Sequence, residues 1–234
     1  MNPFSRIFSR RPELTPNQAA RLAAWHNQPA ADLQQPFDEA RFVVVDVETT
    51  GLNLARDRLI AIGAIAVVES RAVLSDSFEI VLQQKTVSDR DNILIHGIGG
   101  TAQREGVPPV EALLRFLEYL GKSPLVAFHV TFDETMIRRA LKEYLGLNFK
   151  HPWLDLAYLM PGLHPLLARK LRTLDNWTEH FHIQNYARHN ALADALSTAQ
   201  LYQVALENAR QQGIETYQAL QSLEKAQRWL NWAN

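Results

Sequence analysis

The chain has no cysteine among its 234 residues. Disulfides, cysteine-ligated zinc and thiol nucleophiles are thereby excluded together. It also lacks an excess of either charge: 24 Lys and Arg stand against 25 Asp and Glu, a formal net charge of −1. This balance excludes a protein that coats nucleic acid through bulk positive charge. It does not exclude a local groove, because a cluster of buried acids would mask several basic residues in the sum. No stretch approaches the roughly 18 uncharged apolar residues of a membrane span. The N-terminal MNPFSRIFSRRPELTP is basic but has no continuous apolar stretch of the signal-peptide kind. The expectation is a soluble, cytoplasmic protein with no membrane partner. There is no internal repeat and no low-complexity tract.

What is present is an ample core composition, 47% hydrophobic, in a length that suits one main domain with a small appendage. Residues 1–14 read as a poorly ordered tail, with Arg6, Arg10 and Arg11 solvated. Thr15-Pro16 reads as an N-cap followed by proline at the first helical position. Pro29 and Pro36 then bracket a linker. The pattern changes at Phe42-Val43-Val44-Val45, a β-branched run typical of a strand buried on both faces. Further strands are predicted over Leu59–Val68 and Val73–Leu82, with Glu69-Ser70-Arg71 as a hairpin link. Residues 84–108 read as a long loop. Helices are predicted over Val110–Leu120 and Thr131–Leu145, ended by Gly121 and Gly146. Strands fall at Pro124–Phe128 and Pro152–Leu154, and a helix starts at Asp155–Met160, broken by Pro161, Gly162 and Pro165. Helices over Leu171–Phe181 and Ala191–Leu206 precede a last amphipathic helix through Tyr217, Leu220, Leu223, Ala226, Trp229 and Leu230. A three-strand meander followed by alternating helices and strands implies an α/β fold, a mixed sheet with helices on both faces. Three regions follow: an N-terminal tail and helix over 1–40, the main domain over 41–205, and a C-terminal helical extension over 206–234.

Three short segments carry chemistry. In Asp46-Val47-Glu48 the strand period of two puts both carboxylates on one face at the end of a hydrophobic strand. They repel and have no sequence-local cation, so a divalent metal is the economical counter-charge. The bland alternative is two acids entering solvent where a strand ends. Thr49-Thr50-Gly51-Leu52 follows, its glycine leaving backbone free to approach a ligand. Asp133 stands where the fourth strand gives way to a helix, the place where ligands sit in such sheets; a first-turn Asp favoured by the helix dipole is the competing account. The third segment is His189-Asn190-Ala191-Leu192-Ala193-Asp194. A five-residue helical step turns about 140°. His189 and Asp194 therefore meet only if His189 lies in the loop or first turn. Asp194, on an alanine-rich surface, needs a partner for its charge.

In this order and on these elements, the segments resemble the DEDDh exonuclease superfamily. That group includes the proofreading subunit of bacterial replicative DNA polymerase, oligoribonuclease and ribonuclease T. Val43 through Leu52 is a specific match to the first motif, and His189 to Asp194 with Ala195, Thr198 and Ala199 is close to the third. Ile95-His96-Gly97-Ile98 matches a loop often found between them. The resemblance covers roughly residues 40–205. The middle motif departs from the family's Ala-His-Asn-x-x-Phe-Asp: this chain reads Ala127-Phe128-His129-Val130-Thr131-Phe132-Asp133, with Phe128 where His is common and His129 where Asn is common.

The resemblance implies a ribonuclease H-like mixed five-stranded sheet, a three-strand antiparallel meander plus parallel strands, flanked by helices. It implies a metal-dependent 3′–5′ exonuclease that releases nucleoside monophosphates from 3′ ends. Two divalent cations, Mg²⁺ or Mn²⁺, would be held by Asp46, Glu48, Asp133 and Asp194, with Asp46 bridging. His189 would take the proton from the attacking water. Leu52 and Ile98 would pack against the terminal base, and Thr49, Thr50, Gly51, His96 and Phe132 complete the expected substrate-binding set. Arg138-Arg139 and Arg169-Lys170 are candidate phosphate contacts, set against ordinary solvated helix charges. Asp155 could support the metal shell, although an N-cap is the simpler role. Single-stranded DNA leads as substrate; RNA 3′ ends and a non-catalytic nucleic-acid-binding module are the alternatives. DNA replication or repair is the implied setting. The N- or C-terminal extension could dock a protein partner, whereas packing of the last helix back on the domain is the blander account.

Overall fold

The computed structural model describes residues 12–232, with side chains through 230. The tail arginines Arg6, Arg10 and Arg11 and the side chain of Trp232 lie outside the described residues. A five-stranded sheet has the order β3-β2-β1-β4-β5. Its strands are β1 (Arg41–Thr49), β2 (Leu59–Val68), β3 (Arg71–Val81), β4 (Leu125–Ala127) and β5 (Trp153–Asp155). β1, β2 and β3 pair antiparallel, and β4 and β5 join parallel to β1. The hairpin link is tighter than three residues. Only Glu69 and Ser70 connect β2 to β3, both with positive φ (50° and 59°), as a turn matched to the twist of the flanking strands requires.

The helices are α1 (Pro16–His26), α2 (Arg90–His96), α3 (Gly100–Glu105), α4 (Pro109–Leu120), α5 (Val130–Leu145), α6 (Leu156–Leu163), α7 (Leu174–His180), α8 (Ala191–Gln211) and α9 (Tyr217–Trp232). β1 divides the core between them by the alternation of its own side chains. Val43, Val45 and Val47 pack with α4 and α5 on one face. Phe42 and Val44 pack with α6, α8 and α9 on the other. Continuing the even-numbered register carries Asp46 and Glu48 to the face of α8.

Two expectations need correction. Residues 84–108 are not an irregular loop but hold α2 and α3. The Asp89 side chain caps α2 through the Asn92 N–H at 2.8 Å, and Gly97 (φ 71°) closes it in the left-handed conformation. The buried Gln103 amide then ties the segment together, donating to Ser88 Oγ at 2.7 Å and to the Ile98 carbonyl at 2.9 Å. Pro161 and Gly162, in turn, do not break the chain. α6 runs through both to Leu163, because Leu156, Leu159, Met160 and Leu163 are all buried and their packing offsets the one backbone hydrogen bond a proline removes. Gly162 packs closely there: a Cβ would meet the Leu223 side chain of α9 at 3.0 Å.

Both terminal helices pack onto the sheet domain. Thr15 and Gln18 form a reciprocal capping box on α1, and Arg21 pairs with Glu111 and Glu118 of α4, each at 2.6 Å. The Trp25 indole N–H donates to the Gly121 carbonyl at 2.7 Å. On α9, Tyr217 and Leu220 are buried, and the Tyr217 hydroxyl donates to the Trp153 carbonyl at 2.8 Å. The 205/206 boundary falls inside α8. Among the described residues no helix is long and apolar enough to cross a membrane.

Gly63 of β2, paired opposite Asp46, marks a close approach of α8 to the sheet: a Cβ there would lie 2.2 Å from the backbone of Ala191 and Leu192. Gly63→Ala is therefore expected to destabilise the protein by about 3 kcal/mol, the upper end for overpacking, because the obstruction is backbone and cannot rotate away. Urea unfolding measures this; a loss below about 0.5 kcal/mol would show that α8 can shift freely.

Candidate active site

A cleft of about 680 Å³ opens where β1, α5 and the start of α8 meet. Asp46 and Glu48 reach it from β1, Asp133 from the first turn of α5, and Asp194 from the first turn of α8. Asp46, Glu48 and Asp194 each offer an oxygen to a point where the three ligand atoms lie within 4.8 Å of one another. Asp133 stands outside this triplet but close enough that its charge is the strongest carboxylate influence on Asp46. The donor set is all oxygen, as hard divalent cations prefer.

These acids are costly to ionise together. Burial, then the charges of Asp133, Asp194 and Glu48, holds Asp46 well above the usual carboxylate range. Burial and the charges of Asp194 and Asp133 push Glu48 up to about 8. Burial raises Asp133, partly countered by hydrogen bonds from its own N–H and that of Val47. Carboxylates raised in this way bind protons in the fold that they release in the unfolded chain. Glu48 thus contributes stability that is fully present below about 4.5 and lost as pH rises through about 8. Metal-free protein is accordingly expected to melt at a lower temperature at pH 9 than at pH 6.5, and saturating Mn²⁺ should remove most of the difference. A melting temperature that is flat or rising over this range without metal would contradict the crowding of these acids.

His189 sits before α8 with φ 60°, as a loop residue rather than a helical one. Its backbone N–H donates to Asp194 Oδ2 at 2.8 Å, and the residue, exposed, lines the cleft. The Asn185 side-chain amide donates to Asp194 Oδ1. His129 of the unusual middle motif also lies in the left-handed region, φ 66°. Asn and His both tolerate that region, which explains their exchange at this position. Asp155 fixes the turn: it accepts from the N–H groups of His129 at 2.9 Å and Val130 at 3.2 Å, and caps α6 through Ala157. Its N-cap role thus extends to positioning the start of the helix that carries Asp133. Arg228 of α9, 3.3 Å away, supplies its counter-charge.

Of the expected substrate contacts, Thr49, Gly51, Leu52, His96 and Phe132 line the cleft. Leu52 is 86% exposed, an apolar side chain without a packing partner at the cleft edge. The cleft wall differs from expectation at two positions. Ile98 is not part of it; Ile95, one turn earlier on α2, is, because Gly97 reverses the chain. Thr50 turns away, its hydroxyl donating to Asp57 Oδ1 at 2.9 Å. His96 is buried, accepts from the Ile98 N–H at 2.9 Å and lies 3.3 Å from Ser88 Oγ, so it shapes the loop as well as lining the cleft. Arg139 is not a free phosphate contact, since it donates to the backbone carbonyls of Leu54 and Asp57. Phe128, which stands where the family has histidine, also lines the cleft, and the lining includes residues that the sequence did not single out, among them Asp175 and Arg188, ordinary surface charges until the fold brings α7 beside α8.

The family model for exonucleases matches residues 43–202. A PolC-type DNA polymerase III from Thermotoga petrophila is 30% identical over 188 residues, covering 80% of this chain but 13% of that protein. The DNA polymerase III epsilon subunit of Aquifex aeolicus is 29% identical over 189 residues, covering 80% of this chain and 91% of that subunit. Among solved structures, E. coli exonuclease I in complex with a dT13 oligonucleotide superposes with a TM-score of 0.62 at 18% identity, over 74% of this chain and 42% of that one. The moderately thermophilic exonuclease I of Methylocaldum szegediense gives 0.60 at 20% identity, over 72% and 40%. The chain thus spans a small part of PolC and under half of exonuclease I, and shares with the latter a ribonuclease H-like fold. With the motif residues gathered in one cleft and the match running across the whole sheet domain, the chain belongs to the exonuclease family, within the DEDDh superfamily of phosphodiester hydrolases.

Proposed function

We propose that this protein removes nucleoside monophosphates from the 3′ end of single-stranded DNA. The observation that carries the reading is the convergence of Asp46, Glu48 and Asp194 at one point, with Asp133 and His189 lining the same cleft. The 3′–5′ direction is what the motif resemblance implies, and the epsilon-subunit relative, matched over nearly its whole length, supports a setting in DNA replication or repair. Exonuclease I bound to an oligonucleotide supports a single strand as substrate.

In this reading Asp46, Glu48, Asp133 and Asp194 hold two divalent cations, Mg²⁺ or Mn²⁺. Bound there, the ions would supply Lewis-acid charge to phosphoryl oxygens and make water more acidic. The chain's own residues do the rest. Leu52 and Ile95, with Phe128 and Phe132, are among the apolar residues lining the cleft against which a terminal base can pack. Asp194 is held in place by the His189 backbone and Asn185, so losing the His189 ring leaves that ligand oriented. The imidazole accepts the proton of the attacking water, which histidine can do near neutral pH.

The test is a gel assay of 5′-labelled DNA and RNA strands with free or blocked 3′ ends. The expected result is a ladder shortening from the free DNA 3′ end with Mg²⁺ or Mn²⁺, and none in excess chelator. Full activity in chelator would refute metal dependence. Shortening of RNA alone would move the substrate to the exoribonuclease class. Absence of any product with metal present would leave a binding module.

A further inference from the structure

Among the described residues, Arg188 is the one arginine or lysine that lines the cleft, against carboxylates from Asp46, Glu48, Asp133, Asp175 and Asp194. It bridges two of them that differ in kind. Nη2 lies 3.1 Å from Oδ2 of Asp175, an exposed residue in the first turn of α7; Nη1 lies 3.4 Å from Oδ1 of the buried Asp194. The inner contact is the looser one, and Asp194 is already hydrogen-bonded by the His189 N–H and the Asn185 amide. Arg188 is therefore not required to orient Asp194. What it contributes there is charge, as the one cation among the described residues lining a cleft with five carboxylates.

A divalent ion among Asp46, Glu48 and Asp194 would take over that compensation and repel a guanidinium a few ångströms away. Asp175 is not one of the converging three, so it would retain its hold. The guanidinium side chain is 42% exposed, leaving it room to turn outward. We propose that Arg188 is a phosphate-contacting residue with two positions: beside Asp194 when the site is empty of metal, and turned outward on Asp175, toward a phosphodiester of the bound strand, when metal is present. A guanidinium suits this task because it stays charged and offers several donors to phosphate oxygens at once. Binding of metal and of strand would then be coupled, since filling the acidic site releases the cation that the strand uses. The inference rests on the nuclease function proposed above.

The test combines Mn²⁺ titration of the full chain without nucleic acid and steady-state degradation of a dT oligonucleotide. Arg188→Gln removes the charge and keeps a polar end. It is expected to tighten Mn²⁺ binding about 3- to 10-fold, because a competing cation is gone, and to raise KM for the strand about tenfold with a smaller change in kcat. Asp175→Asn should also raise KM but weaken Mn²⁺ binding, since the untethered guanidinium then leans inward. The opposite signs on metal affinity separate a pivoting cation from loss of a structural ion pair. Weaker Mn²⁺ binding in Arg188→Gln, or an unchanged KM, would overturn the proposal. Wild-type protein that neither binds Mn²⁺ nor degrades a strand would overturn the function itself and this inference with it. Wild-type protein that does both, with Arg188→Gln indistinguishable from it, would sink the role of Arg188 alone.

Discussion

Asp46→Ala is expected to lower nucleotide release about 10³-fold or more, while Asp46→Asn raises the melting temperature of the metal-free protein. The two effects have one origin. Burial is the main cost of ionising Asp46, and the charges of Asp133, Asp194 and Glu48 add to it. In the proposed reaction that crowding is the ion site. Removing one of its carboxylates would forfeit several kcal/mol of the charge stabilisation that bound ions would supply in the transition state, and each 1.36 kcal/mol is tenfold in rate. Without metal the same carboxylate only opposes folding. Its raised proton affinity means that the stability it contributes is present below the ordinary carboxylate range and lost as pH rises through its folded value. The gain from Asp46→Asn, which keeps the shape and drops the charge, should therefore be largest at alkaline pH. Circular dichroism melts in chelator at pH 6.5 and 9, with single-turnover rates in Mn²⁺, measure both. An Asp46→Ala protein with wild-type release would remove the catalytic assignment. An Asp46→Asn protein that melts lower than wild type at pH 9 would show that the acid is satisfied without metal.

His189→Ala is expected to lose roughly 10²–10⁴ in rate, the usual worth of a positioned general base, with Mn²⁺ affinity close to wild type. The structure supports the separation of these effects. It is the His189 backbone N–H, not the ring, that holds Asp194. Because the residue lies at φ 60°, alanine there adds a backbone strain of about 1 kcal/mol that is unrelated to chemistry. His189→Asn, better tolerated in that region, is the control. Loss of Mn²⁺ binding in both would make the ring a ligand. Wild-type rates in both would reduce His189 to an exposed loop residue.

Much of this site was legible in the chain because its chemistry follows short-range rules. The period of two along β1 placed Asp46 and Glu48 on one face, and the five-residue step from His189 to Asp194 required the histidine to leave the helix, as it does. Helix ends were equally local: Thr15, Gly121 and Gly146 stand at the caps expected of them. The misreadings arose where packing outweighed a local signal. Pro161 and Gly162 are breakers by propensity, yet the buried face of α6 and its contact with Leu223 hold the helix through them. The segment over 84–108 looked irregular because its organiser, Gln103, acts across the loop and not along it.

The sequence by itself determined which residue types could do the chemistry and on which elements they stand, since strand alternation, helix rotation and caps depend on neighbours a few positions apart. Only the tertiary structure decided how closely they meet and what surrounds them. No local rule shows that Gly63 admits the backbone of α8 beside Asp46, that Ile95 and not Ile98 borders the cleft, or that Asp155 braces the turn before Asp133 with Arg228 as its counter-charge. Nor does any local rule join Asp175 to Arg188 and Arg188 to Asp194. Those relations depend on the distances between elements far apart in the chain, which side-chain packing on the two faces of the sheet sets.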